Sequence, residues 1–175
     1  MNKVLISSST FGEYSSEPID ILKKAGFEVM LNPCKRRLKP EEVVDLAEDC
    51  VGIIAGVEEL NGRTLSRLKK LRIISRVGIG LENIDLEAAE KLKIIVKNTP
   101  DAPTQAVAEM TIALILNLLR NISLEDRLLR AGKWEKKIGR LLSGKTVGII
   151  GIGRIGKRVA ELLQGMNVKI VAHDL

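Results

Sequence analysis

Three glycines late in the sequence, at positions 151, 153 and 156, follow the pattern Gly-x-Gly-x-x-Gly. An apolar run at 147–150 precedes them, and a helix-length segment follows to residue 163. Between a strand and a helix, Gly151 permits a tight turn, Gly153 lets the backbone approach a pyrophosphate, and Gly156 lets the helix pack closely on the strand. The backbone N–H groups at the helix start then attract negative charge. This context favours a dinucleotide site over a simple glycine-rich turn.

An acidic residue, Asp174, follows the next predicted strand, 168–173. A carboxylate at this place accepts hydrogen bonds from the ribose hydroxyls of a dinucleotide, and its charge repels a 2′-phosphate. The predicted cofactor is therefore NAD and not NADP. The one histidine, His173, lies beside Asp174, and we interpret it as a strand residue with no chemical role.

A second glycine-spaced segment, 75–85, leaves the carboxyl end of a predicted strand at 73–77 and enters a helix. In open α/β sheets, ligands bind at the carboxyl ends of the strands, so N–H groups around Gly78 and Gly80 could hold a carboxylate. An ordinary strand-to-helix turn, with Asp85 as the helix cap, explains the same residues equally well.

Composition argues against several classes of partner. Two cysteines and one histidine make neither a disulfide framework nor a metal site, which suits a reducing cytoplasm. The net charge of +6 is spread among 22 acidic residues, and one Trp, one Tyr and two Phe offer few platforms for nucleic acid. The longest apolar stretch, 112–119, is too short to cross a bilayer. We expect no metal, no nucleic acid and no membrane span.

Short apolar runs alternate with amphipathic segments over the first hundred residues, which is typical of an α/β domain with a parallel sheet. A turn-rich linker at 98–104 then begins a second unit. The predicted strands are 4–6, 27–31, 52–55, 73–77 and 94–96, and the predicted helices are 18–24, 40–47, 64–70 and 86–92. We place the domains at 1–98 and 99–175.

The helix predicted at 106–120 is apolar nearly all round, so we expect it to be buried on all sides, in a large core or between subunits. Thr104 is its predicted N-cap. Ser123 is the predicted cap of a further helix that ends near Gly132.

These residues together resemble the D-isomer-specific 2-hydroxyacid dehydrogenases, most closely the branch of the D-3-phosphoglycerate dehydrogenases. The resemblance covers essentially the whole chain. It rests on Arg76-Val77-Gly78-Ile79-Gly80 with Glu82-Asn83-Ile84-Asp85, on Val96-x-Asn98-x-Pro100 followed by Val107-Ala108-Glu109, on Arg130-Ala131-Gly132-Lys133-Trp134-Glu135, and on Gly144-Lys145-Thr146 through Gly156.

The resemblance implies a flavodoxin-like substrate domain followed by the first part of a Rossmann NAD-binding domain, and a homodimer formed through the apolar helix. It implies a small 2-hydroxy or 2-keto acid as substrate. Its carboxylate would be bound at Arg76, Val77 and Gly78, with Ile79 near the nicotinamide. The resemblance also implies that Arg154 and Ile155 contact the pyrophosphate.

Three departures from the family pattern stand out. Glu82 replaces the usual Asp, and the segment 55–59 lacks the arginine that phosphoglycerate-specific members tend to carry there. The family's catalytic Arg, Glu and His lie beyond the position of Leu175, so none has a match in this chain. We therefore expect a truncated chain that is inactive alone.

Two other functions remain open on the sequence. A non-catalytic module could bind NAD or dimerise through the apolar helix, and an in-frame continuation with Arg, Glu and His would distinguish it from an enzyme. A basic nucleic-acid-binding protein is the weaker alternative, which salt-dependent titration would test.

Overall fold

The computed structural model describes residues 2–175, which fall into two compact units that divide between Pro100 and Asp101. Both units are α/β, with parallel strands joined by helices. The fold class predicted from the sequence is therefore confirmed.

The first unit is built on a five-stranded parallel sheet in the order β2-β1-β3-β4-β5. The strands are β1 (Lys3–Ile6), β2 (Glu28–Leu31), β3 (Cys50–Ala55), β4 (Ile73–Arg76) and β5 (Ile95–Asn98), and the helices are α1 (Glu17–Lys24), α2 (Pro40–Ala47), α3 (Gly62–Arg67) and α4 (Leu86–Lys91). This is the strand order of flavodoxin-like sheets, whose ligands bind at the carboxyl ends of the strands where the order reverses, here between β1 and β3.

The core of the first unit lies along its central strands. Leu5, Ile53 and Ile74 of β1, β3 and β4 are fully buried, and α2 packs Val43 and Ala47 against the same cluster. Burying each aliphatic side chain contributes about 1.5–3 kcal/mol. This core fixes the strand ends from which the loops of the candidate site emerge.

Local signals explain where the helices of this unit begin. Asp85 caps α4 by accepting a 2.9 Å hydrogen bond from the Ala88 N–H, as predicted. Asn61 caps α3 in the same way through the Thr64 N–H. The predicted start at residue 64 was wrong because this cap starts the helix at Gly62.

The second unit contains two consecutive helices followed by one β–α–β motif. Its elements are α5 (Pro103–Arg120), α6 (Ile122–Arg130), β6 (Thr146–Ile150), α7 (Arg154–Leu163), a 3-10 turn (Gln164–Met166) and β7 (Lys169–His173). The strands β6 and β7 are parallel, with Val147 beside Ile170. A small core joins α5 to α7 through Ala108, Ile112, Val159 and Leu163.

Two predicted helix caps were wrong. Pro103 occupies the first turn of α5, where its fixed φ and missing N–H suit a helix start, so Thr104 lies inside the helix and Ala102 is the cap. Asn121, with a φ of +58°, ends α5 and directly precedes α6. Ser123 therefore lies within α6, and its hydroxyl bonds the Asn117 side chain.

Within one chain, α5 is not buried on all sides, so of the two predicted environments the core of a single chain is not the one observed, and the subunit interface stays a prediction. Only Ala108 and Ile112 are fully buried, whereas Met110, Leu114 and Leu118 are 60%, 53% and 77% exposed. The apolar surface that the sequence assigned to a core or to a subunit interface is thus an open face of the helix within one chain.

Among residues 2–175, no single helix is long and apolar enough to cross a membrane. Only α5 and α6 taken together, bent by 64° at the break between them, have the length and composition.

Candidate functional site

The glycine-rich turn joins β6 to α7 in the second unit. Gly151 has a φ of +91°, a backbone conformation that residues with a side chain rarely adopt. A Cβ atom at Gly156 would collide with the Gly151 carbonyl oxygen, so this position admits no side chain. At Gly153 a Cβ atom would meet open space. The first and third glycines are therefore required by the fold, whereas Gly153 leaves the surface of the turn clear for a ligand.

Helix α7 begins directly at this turn, with Gly153 as its N-cap. Its first intrahelical bond runs from the Lys157 N–H to the Gly153 carbonyl at 2.9 Å. No side chain caps the helix, so N–H groups of its first turn remain available to an acceptor. The helix dipole adds partial positive charge at the same point, which suits a phosphate group.

Asp174 lies at this turn, immediately after β7. One carboxylate oxygen, Oδ2, accepts a hydrogen bond of 3.0 Å from the Ile152 N–H. The Gly151 N–H extends the strand pairing to the His173 carbonyl at 2.8 Å, which holds the end of β7 beside the turn. The carboxylate and the glycines are thus brought together, 22 residues apart in the sequence.

Two more residues predicted to bind the cofactor are on the first turn of α7. The Arg154 guanidinium is exposed and pairs with the Asp101 carboxylate at 2.8 Å. Ile155 is half-buried and lines a groove of about 380 Å³ together with Gly151, Gly156 and β6. Arg154 therefore has an acidic partner within its own unit.

The second loop, in the first unit, begins at Val77 after β4. The Val77 N–H donates to the Ala55 carbonyl at 2.9 Å, and the Gly78 N–H donates to Thr99 Oγ1 at 2.8 Å. The Asn98 side chain holds the Ile79 carbonyl at 2.7 Å. The Gly78 N–H also donates to the Arg76 carbonyl at 3.0 Å. Both amides predicted to bind a carboxylate thus have protein acceptors, and a ligand at the Gly78 N–H must compete with the Thr99 hydroxyl and the Arg76 carbonyl.

Gly78 itself has a φ of +141°, so glycine is required at the centre of this loop. Arg76, at the end of β4, has a half-buried side chain whose Nε is buried without a hydrogen-bond partner among residues 2–175. Another nitrogen of its guanidinium contacts the Val77 carbonyl. An unpaired buried donor costs free energy, so Arg76 has capacity for one more acceptor.

Glu58, in the loop after β3, is a residue that sequence reasoning did not single out. Its side chain is 1% exposed and accepts hydrogen bonds from the Ser7 hydroxyl and from the Gly56 N–H, the latter at 3.0 and 3.1 Å. The Asn83 amide donates to the Glu58 carbonyl at 2.6 Å. Glu58 therefore ties together the loops that follow β1, β3 and β4. A glutamate three residues after the end of a buried strand was the only sequence signal for this role.

A family model described as "D-isomer specific 2-hydroxyacid dehydrogenase, catalytic domain" matches residues 4–172. The D-3-phosphoglycerate dehydrogenase of Sus scrofa is 36% identical over 179 aligned positions, which cover 99% of this chain and 32% of that protein.

Two solved structures are similar over 99% of this chain. One is a putative NAD-binding D-isomer specific 2-hydroxyacid dehydrogenase from Polaromonas, with a TM-score of 0.86, 27% identity and 55% of its own length covered. The other is a 3-phosphoglycerate dehydrogenase from Entamoeba histolytica with NAD+ bound, with a TM-score of 0.80, 32% identity and 54% covered. The chain thus spans about a third of the curated relatives' length and about half of the solved chains' length.

Proposed function

The chain belongs to the family of D-isomer specific 2-hydroxyacid dehydrogenases, and from that premise we propose that it takes part in oxidising the CH–OH group of a small D-2-hydroxy acid with NAD. The resemblance to D-3-phosphoglycerate dehydrogenases supports this reaction class. In the proposal, residues 1–98 bind the substrate and residues 99–175 bind the cofactor. The two free thiols of the chain, Cys34 and Cys50, suit a reducing cytoplasm.

The observation that carries the NAD assignment is the position of Asp174 at the glycine turn. A pyrophosphate fits the open surface at Gly153, against the N–H groups at the start of α7. In the proposal, Asp174 accepts hydrogen bonds from the ribose hydroxyls, and its charge disfavours a 2′-phosphate. Arg154 exchanges Asp101 for the pyrophosphate in this arrangement. When bound, NAD supplies the hydride acceptor for the reaction.

The loop after β4 holds the substrate carboxylate in this proposal. The Arg76 guanidinium supplies positive charge, and the Gly78 N–H becomes a donor to the carboxylate when the Thr99 hydroxyl rotates away. Ile79 then lies toward the nicotinamide. Holding the reacting carbon in place in this way lowers the entropic part of the barrier.

The proton of the substrate hydroxyl needs a base, and among residues 2–175 the one histidine is His173. His173 is exposed on β7, beside Asp174 at the adenosine end of the proposed cofactor site. We therefore assign binding of cofactor and substrate to this chain, and no turnover to these 175 residues alone.

The open face of α5 favours dimerisation as an additional property of the chain. Met110, Leu114 and Leu118 project apolar surface from one unit, and exposed apolar patches of this kind mark protein interfaces. A second copy of the chain is the partner we propose. A module that only dimerises or binds NAD remains the alternative to an enzyme.

NAD binding to the 175-residue chain, measured by calorimetry, tests the cofactor assignment. Gly153→Val should abolish binding because a branched side chain fills the place of the pyrophosphate. Gly165→Val is the matched control, since a Cβ atom at either glycine meets nothing within 4 Å. Both variants should fold, and only the first should lose NAD. Equal NAD affinity in folded Gly153→Val and in the control would refute the assignment.

A further inference from the structure

Glu58 is a buried glutamate that no step of the proposed function uses. Its side chain is 1% exposed, in the loop that joins β3 to α3. The carboxylate accepts a hydrogen bond from the Ser7 hydroxyl, and the Gly56 N–H lies 3.0 Å from its Oε1 and 3.1 Å from its Oε2. Removing a carboxylate from water is costly unless donors hold it. These two donors therefore fix where the Glu58 side chain lies.

The Ser7 side of this contact is itself held in place at the end of β1. Ser7 is 1% exposed, and its N–H donates to the Ile54 carbonyl of β3 at 3.0 Å. The Asn32 side chain, in the loop after β2, donates to the Ser7 carbonyl at 2.8 Å. Ser7 is thus held from both neighbouring strands, so Glu58 is tied to a fixed point of the sheet.

The turn between β3 and Glu58 closes around the carboxylate. A Cβ atom at Gly56 would lie 3.0 Å from Glu58 Oε2 and 3.2 Å from the Ser8 Cα atom. The carboxylate therefore fills the space between this turn and the loop after β1. Shortening the side chain would leave a cavity there and free the turn to move.

The loop after β4, residues 77–85, begins and ends against the backbone that follows β3. At its beginning, the Val77 N–H donates to the Ala55 carbonyl at 2.9 Å. At its end, the Asp85 N–H donates to the Leu60 carbonyl at 3.0 Å. A displacement of the backbone between Ala55 and Leu60 must therefore move this loop as well.

Asn83 makes the most direct connection between this loop and Glu58. Its side-chain amide donates to the Glu58 carbonyl at 2.6 Å, and its own carbonyl accepts from the Leu60 N–H at 2.8 Å. Gly78, whose N–H is the proposed donor to the substrate carboxylate, lies in the same loop. The Glu58 side chain thus reaches Gly78 through backbone contacts and does not need to touch a ligand.

We propose that Glu58 is a positioning residue for the substrate carboxylate. Its buried side chain fixes the backbone at 55–60 and, through that backbone, the loop that presents the Gly78 N–H. A donor that is already in place loses less entropy when the ligand binds. The Glu58 carboxylate serves as a pair of acceptors in this role, and a glutamine at the same place keeps one of them. The inference rests on the proposed function, because it assumes that the loop binds a 2-hydroxy acid.

Binding of D-glycerate to the 175-residue chain, followed through the amide NMR signals of Gly78 and Ile79, tests the effect on the ligand. Glu58→Ala should weaken the affinity by about tenfold or more, because the hydrogen bonds from two donors are lost. Glu58→Gln should restore the affinity to within about threefold of the original chain. An affinity in Glu58→Gln as low as in Glu58→Ala would overturn the positioning role.

Thr64→Ala is the matched control. The Thr64 side chain is also buried in the first unit, at 2% exposure, and its hydroxyl donates to Asn61 Oδ1 at 3.1 Å. This variant should change the affinity for D-glycerate by less than about twofold, because its lost hydrogen bond is independent of the loop after β4. Equal affinities in folded Glu58→Ala and Thr64→Ala would overturn the inference.

Amide hydrogen exchange in the ligand-free chain tests the positioning without any ligand. The Val77 and Asp85 N–H groups should exchange about tenfold or more faster in Glu58→Ala than in Thr64→Ala, because only the first variant opens the contacts to the backbone after β3. Ser7→Ala removes the hydroxyl donor alone and should accelerate the same two amides by about two- to fivefold. It provides the test where Glu58→Ala does not fold.

Unchanged exchange of Val77 and Asp85 in these variants would overturn the inference even where D-glycerate binds. Accelerated exchange in a chain whose Gly78 signal does not respond to D-glycerate would instead refute the proposed substrate site and leave Glu58 as the residue that fixes this loop. The failure of the inference and the failure of the proposed function are therefore distinguishable.

Discussion

The Asp174 carboxylate accepts a 3.0 Å hydrogen bond from the backbone N–H of Ile152, inside the glycine-rich turn. The contact joins the end of β7 to the loop that precedes α7. It uses one carboxylate oxygen on the turn, while the side chain as a whole remains exposed. Asp174 therefore both braces the turn and presents negative charge beside it, and these two effects can be separated by substitution.

Asp174→Ala should relax the preference for NAD over NADP, since the charge that repels a 2′-phosphate is removed. Asp174→Asn keeps an acceptor for the Ile152 N–H and should show the same relaxed preference with less loss of NAD affinity. Dissociation constants of both variants for NAD and NADP provide the measurement. A variant that prefers NAD over NADP as strongly as the original chain does would show that Asp174 does not contact the ribose.

In the proposed cofactor site, Asp101 would compete with the pyrophosphate for Arg154, because the two side chains form a 2.8 Å ion pair. Asp101→Asn should therefore tighten NAD binding, by no more than about threefold because exposed pairs contribute little. Glu161→Gln is a suitable control, since it breaks a similar exposed pair with Arg158 on the same helix. Its NAD affinity should stay unchanged. Weaker NAD binding in Asp101→Asn would contradict the competition.

The sequence predicted the elements well where local signals decide them. Pro40 fixes the start of α2, and its predicted range of 40–47 agrees with the structure. The alternation of apolar runs and amphipathic segments predicted the parallel sheet, because each side of a βαβ unit must bury its apolar face. The caps at Thr104 and Ser123 were wrong because two residues that the prediction ignored, Pro103 and Asn121, decide the helix starts.

Features that depend on distant contacts could not be predicted from the sequence. The Asn32 side chain joins β1 to the loop after β2, and Glu58 is 51 residues from its partner Ser7. The hydrogen bond from the Gly78 N–H to Thr99 Oγ1 also joins the loops that follow two strands, β4 and β5. Spacing along the chain carries no information about such pairs, since they form only when the folded sheet brings the carboxyl ends of its strands together.

Met110→Glu combined with Leu114→Glu should convert a dimer to a monomer, because unpaired charge buried in an interface costs several kcal/mol. Both residues project from the open face of α5, so the folded monomer tolerates the change. Ile21→Glu with Leu92→Glu introduces the same charge at exposed apolar positions of the other unit, and it should leave the dimer intact. Sedimentation measures the oligomeric state of both double variants. A dimer of equal stability in the α5 variant would refute this interface.

Glu42 should make stability dependent on pH in the acidic range. Hydrogen bonds from Arg36 and then from the Lys39 N–H lower the pKa of Glu42 from 4.5 to about 2. Since the folded pKa lies below the unfolded one, the stabilisation is complete above about pH 4.5 and is lost as the pH falls toward 2.

The free energy of unfolding of Glu42→Gln, measured from pH 7 to pH 2, checks this expectation. The variant should be less stable than the original chain at neutral pH, and the difference should shrink below about pH 4.5. Glu41→Gln, in the same first turn of α2, is the control. A difference that stays constant across this range would mean that the Arg36 pair does not act through ionisation of Glu42.

The activity of this chain is limited by the chemical groups that it contains. Hydride transfer from a 2-hydroxy acid requires a base for the hydroxyl proton and a surface that positions the reacting carbon. Residues 2–175 present the proposed carboxylate loop at Gly78 and the proposed pyrophosphate turn at Gly153, but the one histidine, His173, lies beside Asp174 at the end of β7. The 175-residue chain should therefore bind ligands without catalysing their oxidation.

NADH formation from 3-phosphoglycerate, glycerate or lactate should accordingly stay at background with the purified chain, even where calorimetry detects NAD binding. His173→Ala should leave both the background rate and the NAD affinity unchanged, because the side chain is exposed on β7. Gly153→Val separates true turnover from a contaminating dehydrogenase, since it should remove only the activity that depends on this chain's own cofactor site. NADH production that disappears in Gly153→Val would show that a residue of this chain acts as the base. Loss of the same NADH production in His173→Ala would identify His173 as that base.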